Sequence, residues 1–96
     1  MHECIVIVSG YINNQEKVDA YKNIAGPVMK KYGATLPPKS YKVDNILAGK
    51  PTPSFFLNIT FSDIKNAIAA FNDEDYKAAI KDRDEGFGDL SIFIAD

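Results

Sequence analysis

Asn58 and Thr60 carry the clearest chemical suggestion in this chain of 96 residues. In the run Phe55-Phe56-Leu57-Asn58-Ile59-Thr60-Phe61, period-2 alternation puts both on one strand face with Phe56, and near the C-terminus Ser91 shares a face with Phe93. A few hydrogen-bonding groups on apolar walls are how small-ligand sites are built. Left unsatisfied on such a face, each polar side chain costs on the order of 1 to 3 kcal/mol, so something must pair with it. The expected site is a cavity enclosed by an uncovered sheet face and the first helix. Phe56 and Phe93 would be its walls, and Asn58 and Thr60 its hydrogen-bonding groups. The alternative is that these groups satisfy one another, or bound water, at a dimer interface.

Other chemistries find no support. His2 is the only histidine, so one chain assembles no His pair, His-Cys metal set or Ser-His-Asp triad. We therefore expect no metal and no cofactor. Asn72-Asp73-Glu74-Asp75 reads as helix capping, because acidic groups in a first turn complement the helix dipole. Asp82-Arg83-Asp84-Glu85-Gly86 lacks the closing Glu of a calcium loop and reads as a solvated helix end. Gly86-Phe87-Gly88 has neither the spacing nor the strand-to-helix setting of a nucleotide-binding turn. Asn58-Ile59-Thr60 matches a glycosylation acceptor only by chance in mid-strand. Cys4, alone in an apolar strand, reads as a small buried hydrophobe rather than a reactive thiol.

The elements that must position these residues follow from periodicity. Cys4 to Ile12 is β-branched and aromatic, a first strand. Asn13-Asn14 offers an N-cap to a helix over about 15–32, with apolar residues at Val18, Tyr21, Ile24, Ala25, Val28, Met29 and Tyr32. Gly26-Pro27 inside it predicts a kink or restart, and Gly33 a left-handed C-cap. Residues 34–47 read as one irregular or split strand, since Pro37-Pro38 cannot donate to a ladder. A turn-rich connector over 48–53 leads into the strand 55–61, pairing the two antiparallel. A helix over about 63–71 follows Ser62-Asp63. Asn72 or Asp73 then caps a short helix carrying Tyr76, Ala79, Ile80 and Arg83, and Leu90 to Ile94 closes the sheet.

The order β-α-β-β-α-β predicts a ferredoxin-like α+β fold, an antiparallel sheet with both helices on one face, as a single domain over residues 1–96. Ile5 and Ile7 oppose Cys4, Val6 and Val8, Phe56 opposes Phe55 and Leu57, and Phe93 opposes Ile92 and Ile94. Strands apolar on both faces are normally buried on both, and one chain has helices for only one, so a homodimer packed sheet against sheet is expected. A chain of this size buries roughly 60 to 70% of its unfolded surface, a modest core that a partner would reinforce. Eleven basic and 13 acidic residues give a net charge of −2 without a basic block, which argues against nucleic acid. No segment suits a signal sequence or membrane span, so a cytoplasmic protein without membrane partners is expected. The single cysteine suits a reducing compartment.

Several segments together resemble the family known as domain of unknown function 1330, within the dimeric α+β barrel superfamily. They are Ile5-Val6-Ile7-Val8, Tyr21, Pro27, Lys31-Tyr32-Gly33-Ala34, Phe61-Ser62 and Phe71-Asn72-Asp73-Glu74-Asp75-Tyr76. The resemblance covers nearly the whole chain. It also has departures: the family's Arg-Gly-Gly after the first helix reads Lys39-Ser40-Tyr41 here, its Glu before the Phe that ends strand three reads Thr60, and Gly49-Lys50-Pro51 replaces its aromatic after Glu-Gly. Lysine is a point charge that cannot grip a carboxylate with two parallel bonds as arginine does.

Two functions are compatible with these residues. One is a small-ligand protein or cofactor-free enzyme, which the resemblance implies because superfamily relatives include monooxygenases and isomerases of polycyclic or aromatic compounds. Its ligand-binding residues would be Tyr21, Lys39, Tyr41, Phe56, Asn58 and Thr60, with Tyr11 and Tyr32 as further acid/base candidates. The other is a non-catalytic dimeric interaction module with a filled barrel. No catalytic residue is assigned, and a small organic molecule is the only partner expected besides a second copy of the chain.

Overall fold

The computed structural model describes residues 3–50 and 53–96. The elements run β1 (Cys4–Ile12), α1 (Gln15–Lys31), β2 (Tyr41–Lys42), β3 (Phe55–Phe61), α2 (Ile64–Phe71), α3 (Glu74–Ala78), α4 (Ile80–Gly86) and β4 (Phe87–Ala95). The four strands form one sheet in the order β2-β3-β1-β4 with every pair antiparallel. This is the ferredoxin-like α+β fold.

Local chemistry accounts for the element ends. The Asn14 side chain accepts from the Lys17 backbone N–H and caps α1, and Asp63 does the same for α2 through Asn66. At the other end of α1, the Gly33 and Ala34 N–H groups return to the carbonyls of Lys30 and Met29, with Gly33 at φ +83°. Of the kink or restart expected at Pro27, the restart does not occur: α1 runs unbroken from Gln15 to Lys31. A proline ring clashes partly with the Cβ of the residue before it, and residue 26, a glycine, has none.

Residues 34–47 hold less strand than their composition suggests. Thr35 makes one antiparallel bridge to Thr60, and only Tyr41–Lys42 forms a ladder with β3. The single short helix expected after Asp73 is two, meeting at Ala79. β4 starts at Phe87 rather than Leu90, because the Gly86-Phe87-Gly88 segment joins the sheet directly. A register shift between Ser9 and Tyr11 absorbs an extra residue on β4, with Asp89 at φ 47°.

The sheet has two different faces. Val6, Val8, Phe55, Ile59 and Phe61 point toward the helices and pack with Val18, Ala25, Val28 and Met29 of α1, Ala67 and Ala70 of α2, and Tyr76. Among the described residues no helix covers the other face. There the pairing aligns Thr60, Ile5 and Ala95 in one row, Asn58, Ile7 and Phe93 in the next, and Phe56, Ser9 and Ser91 in a third. Phe56 and Phe93 are 38% and 51% exposed, too much bare aromatic surface for a strand centre unless another surface covers it. Tyr41 stacks on Phe56 with ring centroids 5.4 Å apart, and the following loop ends this apolar surface in a fully exposed Leu47.

Candidate functional site

The cavity lies on the helix side of the sheet. Val8, Phe55, Leu57 and Ile59 form its floor, Ala25, Gly26 and Met29 of α1 one wall, and the Leu36 to Ser40 loop its lip. Phe71 and Phe87 close its aromatic end, and its volume is about 300 Å³. That is room for a small organic molecule, at the lower end of ligand pockets. The position follows from packing. The loop after α1 passes over the sheet as an irregular segment and brings Leu36, Pro37, Pro38, Lys39 and Ser40 to the edge of the space between α1 and β3.

Polar groups at this cavity are few. Lys22, Lys39 and Ser40 stand along it, and Tyr21 sits in its wall. The Tyr21 hydroxyl lies 3.0 Å from that of Tyr76, and Arg83 Nη1–H donates to Tyr76 Oη at 3.1 Å. Burial, then the neighbouring Tyr76, push the Tyr21 phenol well above its ordinary range, so it stays neutral at any physiological pH. Edge contacts with Tyr76 and Phe87, both at 5.8 Å, hold its ring.

The six residues named from sequence separate into two groups. Tyr21 and Lys39 line the cavity. Phe56, Asn58 and Thr60 share the uncovered face, and Tyr41 stacks there on Phe56. A cavity enclosed jointly by the uncovered face and α1 therefore cannot exist within one chain: strand alternation puts α1 behind Leu57 and Ile59, the neighbours of Asn58, and never in front of Asn58 itself. Among the other acid/base candidates, Tyr11 is exposed at the end of β1, and the Tyr32 hydroxyl donates to Asp73 Oδ2 at 2.8 Å. His2 lies outside the described residues.

Sequence reasoning did not identify Tyr76, Arg83 or Asp73 as organising residues. The first two were legible as one helical face, Tyr76, Ala79, Ile80 and Arg83, but only the tertiary fold brings Tyr21 against it. Asp73 does more than cap. It accepts from the Asp75 N–H, from Lys31 Nζ at 2.9 Å and from the Tyr32 hydroxyl, tying the end of α1 to the start of α3. These bonds hold its carboxyl down at about 2. Burial pushes the Cys4 thiol up, as for an inert core cysteine. Among the described residues no group of three or more His, Cys, Asp or Glu could hold a metal ion, and no helix is long and apolar enough to cross a membrane.

A family model described as a domain of unknown function, DUF1330, matches residues 4–95. Among solved structures, a protein of unknown function from Rhodopseudomonas palustris is similar with a TM-score of 0.84 at 14% identity, over 98% of this chain and 81% of that one. A dimeric ferredoxin-like protein of unknown function from a Jannaschia species has a TM-score of 0.73 at 8% identity, over 98% of each chain. A dimeric protein of unknown function and ferredoxin-like fold from Bacteroides fragilis has a TM-score of 0.59 at 16% identity, over 98% of this chain and 95% of that one. At these identities the likeness is one of fold. No curated protein matches the chain.

Proposed function

The chain belongs to the DUF1330 family, and we propose that it is a homodimeric small-molecule-binding protein, joined through the uncovered sheet face and holding one organic ligand in the helix-side cavity of each protomer. One observation carries the ligand reading. A cavity of about 300 Å³ remains open among buried apolar side chains, with Lys39 and Lys22 beside it. A protein whose only task was self-association would gain by filling that space, since voids forfeit dispersion contacts. Two lysines at an apolar cavity favour a compound with a ring or short hydrocarbon body and an anionic or carbonyl oxygen.

The dimer reading rests on the other face. Phe56, Phe93 and Ile7 form an apolar strip between Asn58 and Thr60 on one side and Ser91 on the other, and two of the similar structures are of dimeric proteins. In this arrangement Asn58, Thr60, Phe56 and Tyr41 serve the interface rather than the ligand, and the buried area would exceed about 1,200 Å². A buried free cysteine fits a reducing compartment such as the cytoplasm.

Backbone amide shifts on titration with benzoate test the assignment. Perturbations should gather at Ala25, Met29, Lys39 and Leu57, and Lys39→Ala should weaken binding while leaving the melting temperature unchanged. Perturbations centred on Ile7, Asn58 and Phe93, or none at all, would contradict it.

A further inference from the structure

The hydroxyl of Tyr21 sits at the end of a hydrogen-bond chain whose direction is set from its other end. A guanidinium has only donors, so at Arg83 Nη1 the hydrogen must run toward Tyr76 Oη. Arg83 is itself held by Asp84, whose carboxylate accepts from Nε at 3.1 Å. Tyr76 is 1% exposed, and among the described residues its hydroxyl has no polar neighbour within hydrogen-bond distance other than Arg83 and Tyr21. A buried hydroxyl hydrogen left without an acceptor is disfavoured, and the arginine has none to offer, so the Tyr76 hydrogen points at Tyr21 Oη. The Tyr21 oxygen is then an acceptor in that bond, and its own hydrogen is turned away from Tyr76. No other group among the described residues accepts it. Tyr21 is part of the cavity wall.

We propose that Tyr21 is the hydrogen-bond donor that fixes an oxygen of the ligand in the helix-side cavity, oriented for this by Arg83 acting through Tyr76. The ligand class is thereby narrowed to compounds whose apolar body carries a carbonyl, carboxylate or similar acceptor oxygen. Arg83 and Tyr76 are positioning residues: neither lines the cavity, and their effect reaches the ligand through the Tyr21 hydroxyl. The raised phenol pKa agrees with this arrangement, because a tyrosine that stays protonated keeps the hydrogen it donates. The proposal rests on the cavity being a ligand site, and its test separates the two ideas.

Acetophenone and cumene are close in size, and only the first carries an acceptor oxygen. Because cumene leaves water more readily than the ketone, the bond is read against the variant: the affinity of acetophenone relative to cumene should be about two- to tenfold higher in wild type than in Tyr21→Phe, the span of one neutral hydrogen bond. The carbonyl stretch of the bound ketone should fall below its frequency in hydrocarbon solvent. Tyr21→Phe should return the stretch toward the hydrocarbon value, while cumene affinity, which also reports an intact cavity, stays unchanged. Tyr76→Phe should reduce the stretch shift without abolishing cumene binding. If the ketone bound to the wild type has the stretch of a free carbonyl, the donor assignment is overturned even if the variants fail to fold, and the cavity reading survives. The donor assignment is overturned in the same way if Tyr21→Phe keeps the stretch shift, since another group would then be the donor. If neither probe binds the wild type, the cavity reading fails and takes the donor assignment with it.

Discussion

Replacing Gly86 by alanine tests the packing on which the cavity depends. Gly86 ends α4 where that helix abuts the start of α1, and a Cβ added there would lie 2.9 Å from the Val18 backbone nitrogen, 3.0 Å from Val18 Cγ2 and 3.2 Å from the Lys17 carbonyl carbon. Two of those three atoms are backbone, so no rotamer change relieves the clash. α1 or the end of α4 would have to move by several tenths of an ångström. Gly86 also accepts the Asn13 and Asn14 N–H groups at 2.8 and 3.1 Å, and the same movement lengthens both bonds. Overpacking of this kind costs about 1 to 3 kcal/mol. For a domain of this size, each kcal/mol lowers the melting temperature by roughly 4 to 8 °C, so Gly86→Ala should lose roughly 4 to 24 °C. Thermal unfolding followed by circular dichroism, with wild type and variant at one protein concentration, measures this directly, because a dimer's melting point depends on concentration. A melting temperature within about 2 °C of wild type would refute the close approach of α4 to α1, and with it the placement of Phe87 at the end of the cavity.

Phe56→Asp puts a charge on the uncovered face and removes the stack with Tyr41, so sedimentation velocity should show dimer affinity falling at least about thirtyfold, the loss of an interface anchor worth about 2 kcal/mol or more. An unchanged dimer would mean that another face is the interface. The Asp73 carboxyl lies at about 2 in the folded protein against an ordinary 3.8, so its contribution to stability is present above about pH 4 and lost as pH falls through 2. Wild type should therefore lose more thermal stability between pH 4 and pH 2 than Asp73→Asn, whose melting temperature should already be lower at pH 7. Parallel curves would remove Asp73 from the contacts that hold α3 to α1.

The fold was legible in the sequence because each element carried its own signal: Asn14 and Asp63 as caps, period-2 alternation in β1 and β3, and Gly33 as the stop of α1. The uncovered face could be read for the same reason, since alternation assigns Phe56, Asn58 and Thr60 to one side whatever the tertiary structure. The cavity could not. Its walls come from the opposite face, from α1 and from the Leu36 to Ser40 loop, segments far apart in sequence whose approach is decided by packing. Grouping Lys39 and Tyr21 with Asn58 joined residues that the sheet keeps apart. The restart expected at Pro27 is absent for a simpler reason, because the effect of a proline depends on its predecessor and Gly26 removes part of the conflict. The Tyr21, Tyr76 and Arg83 chain had half of its pattern in one helical face, and the other half lies 55 residues away.

Native mass spectrometry of the purified protein at micromolar concentration tests the central claim most directly, since it weighs the assembly and anything retained within it at once. A dimer that carries a small organic molecule on each protomer, and loses it when Ala25→Phe extends a ring from the cavity wall, is the predicted result. A monomer, or a dimer whose retained molecule is unaffected by Ala25→Phe, would contradict it.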